Sequence, residues 1–393
     1  LMCDSVTRLD TAYFTLGEAF RAVGYSTAHF GKWHLGGGNN GPSIIGGWPE
    51  FRGILNGGVQ NYYSWTKTVN GTNTSNVTTY TTTDQVNDAV SFINSQGSTP
   101  WFVWLGFNAP HDPFHNPPSS LHNYPAYSTD ANGEVFAANR RGAYEAALQA
   151  LDTEIGRLLA SVDPNTTDII LMGDNGTPSQ VVQVPFSSNH AKDTLYEGGV
   201  HVPLVIAGPD VPVCGTSKRF VHCVDLFSTI LELARIDVSA ATTGITIDSN
   251  SLVPVLKGQD TADRCIVSER FGTTIGLTGR TIISADFPDY KLIAFGDPTT
   301  ASDNTTYVIY RISSDPNEQL PLTVPTTISD AHHAAYQSLV AKDLALGPAA
   351  TTTPTSLTLQ LPTTPGGASG VPANLASIPT IVVNGSTTAT YVS

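Results

Sequence analysis

Four segments place ionisable or oxygen-bearing side chains beside apolar runs, three after such a run and the fourth ahead of one. Lys32 and His34 lie in HFGKWHLGG (29–37), His111 in NAPHDP (108–113), Asp174 and Asn175 in GDNG (173–176), and Lys192 in KDTLYEGGVHVP (192–203). An adjacent carboxylate and amide offer hard oxygens of the kind Ca2+ or Mg2+ takes. Two lysines and two histidines around them would make a cationic cradle for a tetrahedral oxyanion, with a histidine able to pass a proton to a departing oxygen. Singly, each has a plainer explanation. Asp-Asn-Gly is a common turn, His111 can be a loop residue bonding the backbone, Lys32 a solvated lysine, and Glu197-Gly198-Gly199 a simple turn. His115, His122, His190 and His201 are read as loop or surface residues. The argument for a site is the joint pattern, complementary cations and metal-type oxygens at four separate strand ends.

The elements that must position these residues follow from periodicity. Leu16, Ala19, Phe20 and Val23 share one helical face, with Thr15 as N-cap and Gly24 as stop. Residues 25–30 alternate as a strand, and WFVWLGF (101–107), DIILM (168–172) and VPLVIAGP (202–209) are apolar runs of buried-strand type. Helical patterns cover 84–94, 144–162 and 224–233. This alternation predicts an α/β fold, a mostly parallel central sheet with helices on both faces. Parallel strands present their C-terminal ends on one edge, where such sheets keep their ligand sites, so residues distant in sequence converge there. Lys32 and His34 alternate along an extended segment and should both face the pocket, with Trp33 turned into the packing.

Between Gly36 and Thr83 the chain is rich in Gly, Asn and Thr and is read as an irregular excursion. Its aromatics Trp48, Tyr62, Tyr63 and Trp65 would suit stacking on a sugar or aryl group. Beyond about residue 260 come shorter strands, YKLIAF (290–295) and TYVIYRI (306–312), then a helix over 328–345, giving a smaller C-terminal α+β domain. The expected organisation is a catalytic α/β domain over 1–260, an α+β subdomain over 261–348, and a Thr/Pro/Gly-rich extension over 349–393 that wraps the surface or serves as a linker.

The chain has 393 residues, 13% of them charged, and a formal net charge of −14. That field disfavours nucleic acid and anionic membrane surfaces as partners, and no apolar run approaches the length of a membrane span. Cys3, Cys214, Cys223 and Cys265 show no zinc spacing, though Cys214 and Cys223 could close a short disulfide loop. N-x-S/T triplets at Asn70, Asn73, Asn76, Asn165, Asn304 and Asn384 suit a secreted, periplasmic or cell-surface protein. No signal segment precedes the first helical pattern, and the chain reads as trimmed at its start.

Taken in order, GYSTAHFGKWHLG, NAPHDP, the strand ending in GDNG, and KDTLYEGGVHVPLVIAGP resemble the sulfatase family of the alkaline phosphatase superfamily. TLGEAF, Ala150-Leu151-Asp152, VDLFSTILELA, DSNSLVPVLKG, YKLI and SDPNEQ extend the resemblance over roughly 10–322. It implies an alkaline phosphatase-like fold and hydrolysis of sulfate esters, carbohydrate or aryl, through a sulfo-enzyme. Asp174 and Asn175 would ligate Ca2+, with Mg2+ as the alternative ion. Lys32 and His34 would stabilise the nucleophile, and His111 and Lys192 would contact the sulfate and its leaving oxygen. The family's nucleophile is formylglycine, made from Cys or Ser in a C-x-P-S-R-type motif that follows a strand with two adjacent aspartates. Neither feature is present, and Cys3, in CDSVTR, lacks the proline. The expectation is therefore an upstream segment carrying the nucleophile, or another chain or fragment completing the sheet. A phosphodiesterase or phosphonate monoester hydrolase on the same fold, or a non-catalytic surface or assembly protein, are the other readings.

Overall fold

Apolar runs bounded by glycine and proline become strands, and the 3.6-residue patterns become the helices that cover them. A computed structural model describes residues 9, 11, 13–242, 246–259, 264–270, 278–296, 306–322 and 331–346, with two strand pieces at 380–381 and 390–392. Its strands are β1 (Ser26–Lys32), β2 (Glu50–Ile54), β3 (Trp65–Val69), β4 (Thr72–Val77), β5 (Trp101–Gly106), β6 (Asp168–Met172), β7 (Leu204–Ala207), β8 (Thr216–Ser217), β9 (Ile266–Arg270), β10 (Gly279–Ile283), β11 (Tyr290–Phe295), β12 (Thr306–Arg311), β13 (Thr380–Ile381) and β14 (Thr390–Val392). One sheet runs β4-β3-β2-β1-β5-β13-β6-β7-β14-β8, and a second, antiparallel sheet runs β12-β11-β10-β9.

The period-two alternation of the central strands divides the core in two. Phe102 and Ile170 pack with Phe20, Phe51 and Ile230 on one face, while their neighbours Val103 and Ile169 pack with Phe30, Val86 and Leu158 on the other. Helices Leu16–Ala22 and Asp225–Leu233 supply the first layer, Thr81–Ser95 and Arg140–Leu159 the second. The first helix starts as its sequence suggests, in a reciprocal box where Thr15 Oγ1 accepts from the Glu18 amide and Glu18 accepts from the Thr15 amide. It stops before Gly24, whose φ is 90°.

Several expectations are corrected. Residues 36–83 are not an irregular excursion: β2 pairs parallel with β1, and β3 and β4 extend the sheet as an antiparallel hairpin. Trp65 and Thr68 fill the inner face of β3, a signal diluted by the glycines and asparagines around it. Strand β7 runs antiparallel to β6. Periodicity identifies a strand but carries no information on its direction. Of the Thr-rich extension, β13 lies between β5 and β6, parallel to both, and β14 lies between β7 and β8, so these pieces belong to the sheet rather than to a surface wrap or linker. Cys214 and Cys223 are free thiols, and Cys3 lies outside the described residues.

Candidate active site

Strand β1 ends at Lys32, β5 runs into the loop bearing His111, and β6 runs into Asp174-Asn175. Because β7 is antiparallel, its beginning lies at the end of β6, and the segment leading into it delivers Lys192 to the same rim. Gly173 N–H bonds Pro203 O at 3.0 Å, Lys192 N–H bonds Thr177 O at 2.9 Å, and Gly176 N–H bonds Gly199 O at 3.2 Å. These bonds join the loop after β6 to the segment before β7. A Cβ on Gly176 would stand 1.9 Å from Gly198 O, so only glycine permits the approach.

Lys32, His111, Asp174, Asn175 and Lys192 all line one cavity of about 770 Å³. Lys32 Nζ stands 3.8 Å from Asp174 Oδ2. The cavity runs down between β5 and β6, past Trp104, Ile170 and Met172. It opens there because β13 pairs only with Phe102–Val103 and Asp168–Ile169, the ends of those strands far from the rim.

His34 is reached differently from the simple alternation expected. Trp33 is buried, as the pattern requires, and its indole donates to Gly36 O at 2.8 Å. The strand has ended, however, and His34 takes a left-handed φ of 54°. That conformation is costly for a side chain with a Cβ and is found where surroundings over-determine the backbone. His34 does not line the cavity itself. Its ring rests on Gly57, where a Cβ would come within 2.5 Å of Cε1, and His111 sits beside Gly58. The Gly57-Gly58 pair is a site feature that sequence reasoning passed over, although consecutive glycines before a packed tyrosine were its visible signal. Burial pushes the His34 pKa down, and the nearby Lys32, His111 and Lys192 push it in the same direction. Its imidazole is therefore kept neutral among cations.

The other histidine of the opening motif has no part in this. His29 is buried against Trp33, Trp48 and Phe51, donates from Nε2 to Lys32 O at 2.9 Å, and is brought by burial to a pKa of about 4.

His111 is held by its own loop: Nδ1 lies 2.9 Å from Asp112 O and 2.6 Å from Asp112 Oδ1, which leaves Nε2 for a ligand. Tyr62 Oη, 2.9 Å from Asn108 O and 2.8 Å from His111 O, braces that loop. Tyr62 thus supports the site from behind and offers no face to a substrate. Trp48, Tyr62 and Trp65 are all buried, at 5%, 1% and 5% exposure, and are packing residues. Tyr63 is 38% exposed but donates to Asn116 O and does not line the cavity. Composition distinguishes aromatics from other residues, but only tertiary contact decides which ones stay open.

Asp174 and Asn175 fit a hard cation in kind, with a carboxylate and an amide oxygen side by side. They fall short of the six to eight oxygens Ca2+ takes, and among the described residues no group of three His, Cys, Asp or Glu is placed to hold a metal.

The sulfatase family model matches residues 4–236, more than half of the chain. The chain belongs to the sulfatase family. This sulfatase chain is 24% identical over 367 residues to N-acetylgalactosamine-6-sulfatase of Canis lupus familiaris, an alignment covering 79% of the chain and 65% of the relative. It is 27% identical over 231 residues to N-acetylglucosamine-6-sulfatase of Homo sapiens, covering 50% of the chain and 40% of the relative. The chain therefore spans less than two thirds of the length of these relatives. Among solved structures, Ps i-CgsB superposes with a TM-score of 0.68 at 21% identity, covering 88% of the chain and 76% of that structure. The PsFucS1 sulfatase from Pseudoalteromonas sp. superposes with 0.61 at 17%, covering 88% and 76%. Ps i-CgsB has also been crystallised with k-i-k-neocarrahexaose. These likenesses carry the fold, a mixed α/β architecture with a mostly parallel main sheet and a separate antiparallel sheet. No described helix is long and apolar enough to cross a membrane.

Proposed function

We propose that this chain hydrolyses sulfate esters of carbohydrates, with the cavity at the ends of β1, β5 and β6 as the sulfate site. The observation that carries this reading is the meeting of Lys32 with Asp174 at 3.8 Å on a cavity that His111 and Lys192 also line. Lys32 and Lys192 would neutralise the sulfate oxygens, and preorganised charge of this kind is worth most where negative charge grows during S–O cleavage. His111, oriented through Nδ1, would give the proton that the departing alcohol oxygen needs. Asp174 and Asn175 would hold Ca2+, or Mg2+, which when bound would draw charge from a sulfate oxygen. None of the residues lining this cavity is assigned as the nucleophile, which in the resembled family is a formylglycine.

A carbohydrate substrate is supported by the named activities of the canine and human relatives and by the oligosaccharide bound to Ps i-CgsB. Asn70, Asn73, Asn76 and Asn165 are exposed, in keeping with an extracytoplasmic location.

The test is sulfate release from N-acetylgalactosamine 6-sulfate together with calorimetric binding of inorganic sulfate. Lys192→Ala should lower release about 10²–10³-fold, in line with loss of one oxyanion-stabilising group. A chain that neither releases nor binds sulfate sinks the proposal. Binding without release would move the reading to a non-catalytic sulfatase-like protein.

A further inference from the structure

Lys291, on β11 of the second sheet, has no exposed surface. Its Nζ lies 2.7 Å from Glu197 Oε1 and 3.0 Å from Glu318 Oε1, and Glu318 Oε2 accepts the Glu197 amide at 2.5 Å. Burying such a group is poor economy for stability alone, since apolar side chains of similar volume often do as well or better. The arrangement does fix the Glu197 carboxylate. One oxygen faces Lys291, and the other meets His201 Nδ1 at 2.8 Å. Glu197 and His201 open and close the single turn Glu197–Val200, both line the cavity that holds Lys32 and Lys192, and the His201 side chain is 57% exposed. Leu195, in the same segment, packs on Ile293 and Tyr310 of the second sheet, so that sheet supports the whole approach to the cavity.

We propose that His201 is a further anion-binding residue of this cavity, presenting Nε2 to an oxygen of the sulfated substrate, with Glu197 and Lys291 as the residues that position it. The inference rests on reading the cavity as the sulfate site. Its physical basis is orientation: a carboxylate pinned by a buried ammonium fixes the ring and keeps a proton on Nδ1, so Nε2 is the nitrogen left for a ligand. The groups facing His201 are Glu197 on its own turn, Lys291 from β11 and Glu318 behind them. The same cavity is also lined by Lys192, Lys32, His111 and Asp174. The hydrogen bond to Glu197 and its charge raise the His201 pKa, and burial and, to a smaller degree, Lys291 oppose part of that rise. Burial would raise the Glu197 carboxyl, but His201 and Lys291 outweigh it and bring it to about 2. Glu197 therefore stays ionised wherever His201 titrates.

The experiment is titration of the full chain with inorganic sulfate between pH 5.5 and 8.5, read by calorimetry, on wild type, H201Q, E197Q and K192A. H201Q should bind sulfate about tenfold more weakly at the acid end, the size of one lost charge-assisted hydrogen bond, and its affinity should change less with pH than that of wild type. E197Q should move the His201-dependent step to lower pH, which a purely structural carboxylate would not do. Thermal unfolding of H201Q should match wild type, because the ring is largely in solvent. H201Q with the wild-type affinity and pH slope overturns the inference. Unchanged binding by K192A, or no sulfate binding by wild type, overturns the cavity reading beneath it. Loss in K192A with no effect in H201Q removes His201 alone.

Discussion

Lys32 stands 3.8 Å from one carboxylate at an open rim, whereas Lys291 is enclosed between two, at 2.7 and 3.0 Å. Asp174 is 73% exposed and Glu318 is 1% exposed. The rim leaves charge loosely paired and within reach of an incoming anion. The Lys291 ammonium is instead closed off from solvent between its two carboxylates. A cation meant to bind ligand has to remain under-satisfied in the free protein, and one meant to hold backbone has to be saturated.

The strongest way to break this contrast is to remove each lysine in turn. Lys291→Met should lower the unfolding free energy by about 3–5 kcal/mol, because two buried carboxylates lose their shared cation. Lys32→Met should change it by less than about 1 kcal/mol, as for other solvent-screened pairs. Urea denaturation measures both, and equal losses would erase the distinction. Backbone fit at the rim gives the next largest effect. Gly57→Ala sets a Cβ against the His34 ring and should reduce sulfate release about 10- to 100-fold through displacement of that imidazole. Wild-type turnover in this variant would mean the ring has room to move.

A smaller effect sharpens the meaning of enclosure. Asp168, at the end of β6 far from the rim, has no exposed surface, and burial with the like charge of Asp210 raises its pKa to about 7. In the unfolded chain it titrates near ~4. The native state therefore binds more protons between these values, and the stability contributed by the neutral carboxyl is complete below about 4 and lost as pH rises through about 7. Asp168→Asn should be more stable than wild type at pH 8 by about 1–3 kcal/mol and nearly equal to it at pH 4. Thermal melts at the two pH values check this, and a gain at pH 4 only would reverse the sign.

Much of the rim was legible in the sequence because it follows from local rules. Apolar runs end where glycine, proline and charge begin, and Lys32, His111 and Asp174 stand at such ends. Lys192 precedes its strand and reaches the same rim only because β7 runs antiparallel to β6, a direction the sequence pattern did not carry. What could not be read depends on partners far along the chain. Trp48, Tyr62 and Trp65 look like open aromatics until β2, β3 and the His111 loop close over them. His201 looks like a loop histidine until β11 brings Lys291 beneath Glu197. The strand pieces β13 and β14 are too short and too threonine-rich for periodicity to separate them from a linker.

The bridge from Glu197 to Lys291 spans 94 residues of chain, and that from Glu197 to Glu318 spans 121. During synthesis, the turn that carries His201 thus emerges well before the groups that fasten it. A chain ending short of β11 would lack Lys291 and Glu318, which fix Glu197, and it would also lack β13 and β14 of the main sheet. The orientation of Glu197, and with it of His201, is therefore set by residues made about a hundred positions later.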